Sequence, residues 1–144
     1  MKLLFPNKKI RINYHVLDTY ECGVSLKGTE VKSLIKSNAS IDESFVIFRN
    51  NEAFVLNMYI ASFEQGNINN VDSTRKRKLL LHKSEILKID HQAKKERLAV
   101  VPTKVYLNNG MIKMEIALCK SKNARDKRQD IKVRDIKREV KKYY

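Results

Sequence analysis

The chain has 144 residues, 42% of them hydrophobic, which is enough to build the modest core of a single domain. Its two cysteines, Cys22 and Cys119, exclude a disulfide framework and have no zinc-ligand spacing, so we expect no metal and no cofactor. Thirty Lys and Arg residues against sixteen Asp and Glu residues leave a formal net charge of +14, which favours a polyanionic partner such as nucleic acid.

The N-terminal residues 1–9 predict a loose arm that ends in Asn7, Lys8 and Lys9. Their apolar run is too short for a secretory signal, and no stretch of the chain approaches the roughly 18 apolar residues of a membrane span. A protein that binds the membrane surface would need a long amphipathic helix with large apolar groups, and none is predicted. We therefore expect a cytoplasmic protein with no membrane partner.

Residues 11–27 predict a strand with one buried face. Apolar and polar residues alternate here, so Cys22 should lie in the core and Glu21 should point outward. Glu21 is then either half of a weak surface salt bridge or a carboxylate that accepts hydrogen bonds from a base amino group or a sugar hydroxyl. Gly28 ends the strand, and the helix predicted after it places Lys32 on the solvent side, facing either RNA or only water.

Two further strands are predicted at residues 44–49 and 52–60, around a turn at 49–51. These strands carry aromatic rings that could stack on bases, although core packing is the commoner role in alternating strands: Phe45, Phe48 and Phe54. The polar stretch 61–74 that follows predicts a long loop.

Four cationic residues at 75–78 stand directly before three leucines at 79–81. Such a segment suits neither water nor a core along its whole length, so we expect the leucines to anchor it and to hold the cations in place. A fixed row of cations matches the phosphates of a nucleic acid. The alternative is the start of a helix whose cations are only solvated.

A helix is predicted from an N-cap at Ser84, with a second short helix starting at Asp90. A hairpin follows at residues 98–119, with its turn at 108–110, and Pro102 predicts an edge or a bulge within it. On the return strand the apolar side chains should face the core, while four residues should face outward: Lys113, Glu115, Ala117 and Cys119. The solvent face of the hairpin would be either a bare polar surface or an RNA-binding one that combines cations with an aromatic ring: Lys104, Tyr106 and Lys113.

Residues 120–144 carry eleven Lys or Arg residues against four acids, a charge of +7, and too few apolar residues to fold alone. A thin helical stripe nevertheless runs through Val133, Ile136, Val140 and Tyr143. We predict a tail that is disordered when free and helical on an anionic surface; the alternative is a tail that only increases solubility.

The order of these elements favours a mainly β fold with short helices: an OB-like closed β-barrel over residues 1–119, followed by the basic tail at 120–144. The chain also resembles the SmpB family (SsrA-binding protein, small protein B) over nearly its whole length. The matching stretches are the hairpin and residues 7–9, 20–23, 28–34, 52–54, 75–83 and 126–128. Residues 20–23 and 28–34, the leucine run within 75–83 and the triplet at 126–128 are highly specific when they occur together in this order.

This resemblance implies a protein that binds the tRNA-like domain of transfer-messenger RNA (tmRNA, SsrA RNA) and rescues stalled ribosomes in trans-translation. It implies entry into the ribosome with that RNA and elongation factor Tu, which the protein meets indirectly through the RNA. The barrel would replace the missing anticodon arm. The tail would lie as a helix in the empty mRNA channel, so that the partners on the ribosome are this channel and the decoding centre of the small subunit. We expect the protein itself to be a monomer.

The resemblance places RNA contacts on Asn7, Lys8, Glu21, Lys32, Arg75, Arg77, Leu80 and Lys113. The charge and strand patterns add Lys9, Lys78, Lys104 and Tyr106. Contacts of the tail with the ribosome are expected at Lys120, Lys122, Asp126, Lys127, Arg128, Lys132, Arg134, Lys137 and Arg138. The chain departs from the family pattern at Ile35, at residues 71–73 and at Ser121, where the family has Arg, His-Asp-Pro and Gly.

Two other classes of protein remain as alternatives. Another translation-associated OB-fold protein, one that binds rRNA, would share the fold and the charge. A nuclease would need clustered carboxylates or a pair of histidines, whereas the acids of this chain are scattered. We therefore expect a protein that binds RNA without being an enzyme.

Overall fold

The computed structural model describes residues 1–62 and 72–122. Most of the predicted loop at 61–74 and most of the predicted tail lie outside these described residues. Within them the elements follow in the order β1 (Lys2–Pro6), α1 (Ile10–Asn13), β2 (Tyr14–Val24), α2 (Gly28–Ile35), β3 (Ala39–Ser40), β4 (Phe45–Arg49), β5 (Glu52–Leu56), β6 (Tyr59–Ile60), β7 (Arg77–Leu80), α3 (Lys83–Glu96), β8 (Ala99–Asn108) and β9 (Met111–Ser121).

Across the described residues, seven strands form one antiparallel sheet in the order β1-β8-β9-β2-β7-β5-β4, and β3 pairs with β6. The fold is therefore mainly β with few helices, as predicted. The strands at the two ends of the sheet, β1 and β4, do not pair with each other, although β4 lies close to β8. Because no hydrogen-bonded ladder joins the ends, the predicted closed barrel is not confirmed.

The core lies against one face of this sheet. Side chains alternate along a strand, so alternate residues of β7, of β9 and of the C-terminal part of β2 enter the core, as Leu79, Met114 and Cys22 do. Helices α2 and α3 cover the core with Leu34 and Ile89, both of which are fully buried. The predicted burial of Cys22 is confirmed, and burial raises the pKa of its thiol to about 12.

The N-terminal residues are not the predicted loose arm. Strand β1 pairs with β8, with Lys2 opposite Leu107 and Pro6 opposite Lys104. Phe5 joins the core from this strand. Residues 10–13, where the predicted strand was to begin, form helix α1 instead.

The second half of the basic stretch belongs to strand β7, Arg77–Leu80, so the alternative of a helix start is wrong. Leu79 lies opposite Ala53 of β5 and is buried, whereas Leu80 lies opposite Gly23 of β2 and is 56% exposed. Only part of the leucine run therefore anchors the segment. The helix that follows is also simpler than predicted: α3 runs unbroken from Lys83 to Glu96, with its N-cap at His82.

The hairpin is confirmed, with Asn108 opposite Met111 and positive φ angles at Asn109 (51°) and Gly110 (76°) in the turn. A register shift at the residue after Pro102 confirms the predicted bulge. The outward placement of Ala117 and Cys119 is wrong, because both are buried in a second small cluster that α1 covers with Ile10. Burial raises the pKa of the Cys119 thiol to about 11.

Candidate RNA-binding surface

Strand pairing brings half of the predicted RNA-binding residues onto one side of the sheet. Tyr106 of β8 lies opposite Lys113 of β9, which in turn lies opposite Gly23 of β2, and Gly23 lies opposite Leu80 of β7. Cross-strand partners project to the same side of a sheet, and so do residues two apart along one strand. We call this side, which is opposite the core, the outer face; it carries Glu21, Lys78, Leu80, Lys104, Tyr106 and Lys113.

The carboxylate of Glu21 has a fixed partner on the outer face. The hydroxyl of Tyr106 donates a hydrogen bond to Oε2 of Glu21, while Glu21 itself remains exposed. Tyr106 is only 3% exposed, and the Nζ of Lys104 lies 5.8 Å from its ring centroid. Burial, with the Glu21 hydrogen bond as the second cause, raises the pKa of the Tyr106 hydroxyl, which therefore stays a neutral donor. The ring of Tyr106 is not a free platform for a base.

Leu80 places an apolar side chain in the middle of the charged outer face. Its strand approaches β2 at a glycine, where a Cβ atom added to Gly23 would lie 3.3 Å from the Cβ of Leu80. Such a contact is tighter than ordinary van der Waals packing. The missing side chain of Gly23 therefore lets Leu80 lie close above the strand.

Where the outer face reaches β5, two lysines contact side chains of that strand. The Nζ of Lys76 lies 4.3 Å from the ring centroid of Phe54, and the Nζ of Lys78 lies 3.6 Å from a carboxylate oxygen of Glu52. Lys76 therefore covers Phe54, which is only half-buried and does not pack in the core. A cleft of 390 Å³ opens beside Leu80 and is bordered by Lys78, His82 and Lys83.

Arg77 lies on the opposite side of the sheet from Lys78 and Leu80, as strand alternation requires. It is completely buried, and its Nε lies 2.5 Å from Oε2 of Glu30. It also donates hydrogen bonds to the backbone carbonyls of Met58 at 2.6 Å and Ser73 at 3.1 Å. A phosphate could reach Arg77 only by entering the core. This position therefore does not fit the prediction that Arg77 contacts RNA.

Glu30 joins the buried arginine to the surface. Arg75 donates to its Oε1 at 2.5 Å, and the backbone N–H of Lys27 donates to the same oxygen at 2.9 Å. Burial opposes ionisation of Glu30, but hydrogen bonds from Arg75, Lys27 and Arg77 outweigh it, so the pKa of this carboxyl lies below its ordinary value. Arg75 remains partly exposed. Glu30 therefore holds two arginines of the basic segment, Arg75 near the surface and Arg77 in the interior.

Glu30 is the important residue that sequence reasoning did not select. As an acid in the first turn of α2, Glu30 is marked in the sequence only by a favourable interaction with the helix dipole. The spacing of two residues between Arg77 and the anchoring Leu79 was the available indication that the arginine points into the core and needs an acidic partner there.

The remaining predicted RNA-binding residues lie away from the outer face. Asn7 is buried and donates through Nδ2 to the carbonyl of Pro102 at 2.9 Å, which secures the bulge in β8. Lys9 pairs with Glu43. Lys8 and Lys32 are exposed, the first after β1 and the second on α2.

Two of the predicted tail contacts fall within the described part of the chain. Lys120 is exposed near the end of β9, and the N–H of Lys122 donates to the carbonyl of Asn13 at 2.8 Å. The other predicted tail contacts lie outside the described residues: Asp126, Lys127, Arg128, Lys132, Arg134, Lys137 and Arg138.

Neither a metal site nor a membrane span is found in the described residues. Over 1–62 and 72–122, no three His, Cys, Asp or Glu side chains are grouped so that they could hold a metal ion. In the same part of the chain, every helix is too short or too polar to cross a membrane. The larger cavity, of 510 Å³, lies beside Asn7, Phe45 and Lys94 and includes none of the outer face.

Comparison with known proteins gives one consistent family. The family model described as "SmpB protein" matches residues 4–144. The SsrA-binding protein of Malacoplasma penetrans is 54% identical over 143 residues, which cover 99% of this chain and 98% of that protein. The SsrA-binding protein of Thermosipho africanus is 46% identical over 144 residues, which cover 99% of this chain and 97% of that protein.

A solved structure supports the same assignment. It is described as "tmRNA-SmpB: a journey to the center of the bacterial ribosome", and one of its chains is 42% identical to this one with a TM-score of 0.70. The alignment covers 83% of this chain and 85% of that chain. Sequence and fold therefore agree, and this chain belongs to the SmpB family.

Proposed function

We propose that this protein binds the tRNA-like domain of tmRNA through its outer face and takes part in trans-translation. The family match, the curated relatives named SsrA-binding proteins and the solved structure that names tmRNA, SmpB and the ribosome all support this function. The observation that carries it is the arrangement of Lys78, Lys104 and Lys113 around one exposed carboxylate, Glu21, and one exposed leucine, Leu80.

The chemistry of the outer face fits a folded RNA. Lysines attract phosphates without regard to sequence and set the position of the RNA. Leu80 offers an apolar contact for a base or a ribose. Glu21 repels phosphates, but its carboxylate can accept a hydrogen bond from a sugar hydroxyl or a base amino group. These groups bind and orient the RNA, and we propose no covalent step and no enzymatic activity.

We further propose a second set of partners, reached by the end of β9 and the residues beyond it. Lys120 and Lys122 begin a basic segment of charge +7, which would follow the mRNA channel from the decoding centre of the small ribosomal subunit. The sheet, as an OB-like body, would stand where an anticodon arm is missing. The protein would work as a monomer in the cytoplasm and would meet elongation factor Tu through the RNA.

A binding experiment at several salt concentrations tests the proposal. If the protein neutralises about six phosphates, the logarithm of its affinity for the tRNA-like domain should fall with the logarithm of salt concentration at a slope of about −4 to −5. Lys113→Ala should weaken binding, and Lys95→Ala, which removes an exposed cation from α3, serves as the matched control.

The RNA that co-purifies from cells gives the independent check. Recovery of tmRNA is expected. Recovery of rRNA fragments without tmRNA would overturn the proposal in favour of an rRNA-binding translation protein, and magnesium-dependent cleavage of bound RNA would overturn the proposal of a non-enzymatic protein.

A further inference from the structure

Tyr106 occupies an unusual position on the outer face. It lies among groups that face solvent, yet it is only 3% exposed, so a base has almost none of its surface to contact. Its hydroxyl belongs to β8, and its partner Glu21 belongs to β2, with β9 between them in the sheet. The tyrosine side chain therefore spans the middle strand to reach the carboxylate.

This hydrogen bond leaves the carboxylate half occupied. Tyr106 donates to Oε2 of Glu21, so Oε1 is left to a further donor. Two cations lie near this hydrogen bond: Lys113 lies directly opposite Tyr106, and the Nζ of Lys104 lies 5.8 Å from its ring centroid. The acid opposite Glu21 on β9, Glu115, is held separately by the hydroxyl of Thr103.

A carboxylate with a fixed orientation binds better than a mobile one. A glutamate in water samples many rotamers, and a ligand that needs one of them loses affinity in ordering it. A buried hydroxyl that already holds one carboxylate oxygen removes part of that loss before the ligand arrives.

We propose that Tyr106 is a positioning residue that orients Glu21 as a hydrogen-bond acceptor for a sugar hydroxyl or base amino group of the RNA. Tyr106 does not itself contact the RNA. This inference rests on the proposed function, because it requires that the outer face binds RNA.

Tyr106→Phe removes the hydroxyl and keeps the packed ring. We expect it to weaken binding of the tRNA-like domain three- to tenfold. The slope of affinity against salt should not change, because no phosphate contact is lost. In a protein that already carries Glu21→Ala, the same change should have no further effect, since there is no carboxylate left to orient.

Tyr20→Phe is the matched control. The hydroxyl of Tyr20 donates to a carboxylate oxygen of Asp18 at 3.1 Å, so this variant also removes a tyrosine–carboxylate hydrogen bond, but one away from the outer face. It should leave RNA binding unchanged. Thermal unfolding of each variant shows whether the fold is retained.

The outcomes separate this inference from the proposed function. If the unmodified protein fails to bind the tRNA-like domain, the proposed function is wrong. If it binds normally and Tyr106→Phe has no effect, or weakens binding by the same factor with and without Glu21, the positioning role is wrong while the proposed function stands.

Discussion

The carboxylate of Glu30 and the guanidinium of Arg77 meet inside the protein, with Nε of Arg77 2.5 Å from Oε2 of Glu30. Arg77 is completely buried and Glu30 nearly so. Arg75, two residues before Arg77, reaches the same carboxylate from the surface. A segment that looks in the sequence like a uniform row of cations is therefore divided between the interior and the solvent.

Arg77→Ala should damage the fold before it affects any RNA contact. Removing one member of a buried pair leaves the other charge without its partner, which typically destabilises a protein by about 3–5 kcal/mol. Urea unfolding should show this loss, while Lys78→Ala on the outer face should change stability by less than about 1 kcal/mol. A stable Arg77→Ala protein with a reduced salt slope in RNA binding would contradict the buried role.

The stability of the protein should fall at acid pH in a way that depends on Glu30. Its folded-state pKa lies below the ordinary value of 4.5, so the unfolded chain takes up a proton first as pH decreases. The stabilisation is thus fully present above pH 4.5 and is lost as pH falls through the lower folded-state pKa. Urea unfolding over this acid range should show a shallower decline for Glu30→Gln, which should also be less stable at neutral pH. An identical pH slope in both proteins would contradict this assignment.

Lys104→Ala and Lys113→Ala should weaken RNA binding in an additive, salt-dependent manner. Each lost phosphate contact should make the salt slope shallower by about 0.7–0.9. Filter binding or fluorescence anisotropy at several salt concentrations measures both effects. If either variant lowers affinity without altering the slope, that lysine does not contact a phosphate.

Gly23→Ala tests the close approach of β7 to β2. The new Cβ would lie 3.3 Å from the Cβ of Leu80, so Leu80 must give way by a few tenths of an ångström, and overpacking of this kind typically costs about 1–3 kcal/mol. Because Leu80 would be displaced, RNA affinity should also fall. Leu80→Ala in the same background relieves the contact with Cδ1, and recovered stability would support this explanation.

Removal of residues 123–144 should affect the two proposed interactions, with tRNA-like RNA and with the ribosome, differently. The cut keeps Lys122, whose N–H bonds to the carbonyl of Asn13 and closes the end of β9. Binding of isolated tRNA-like RNA should persist, while peptide tagging on stalled ribosomes should be abolished. A parallel loss of both activities would contradict the division of labour between the outer face and the tail.

Strand alternation predicted much of the sheet and of the outer face. The period of two placed Cys22 and Met114 inside and Glu21 and Lys113 outside, as the structure does. The hairpin turn was equally predictable, because Gly110 readily takes the positive φ that the turn requires.

The errors arose where distant parts of the chain meet. Arg77 and Glu30 are 47 residues apart, and without a topology no pattern could pair them. Helix α1 has only four residues, and it holds its place by packing Ile10 on the second cluster. That packing also buries Cys119, which alternation alone placed in solvent.

Because Arg77 and Lys78 point to opposite sides of the sheet, this strand is sensitive to the insertion or deletion of a single residue. Because Leu79 is anchored in the core, insertion of one residue between Lys78 and Leu79 would turn Lys78 toward the core and carry Arg77 to the solvent side, away from Glu30. A change of two residues would restore the sides. Natural or engineered variants of this segment should therefore tolerate length changes in pairs, and tolerate exchange among exposed cations far better than loss of the buried one.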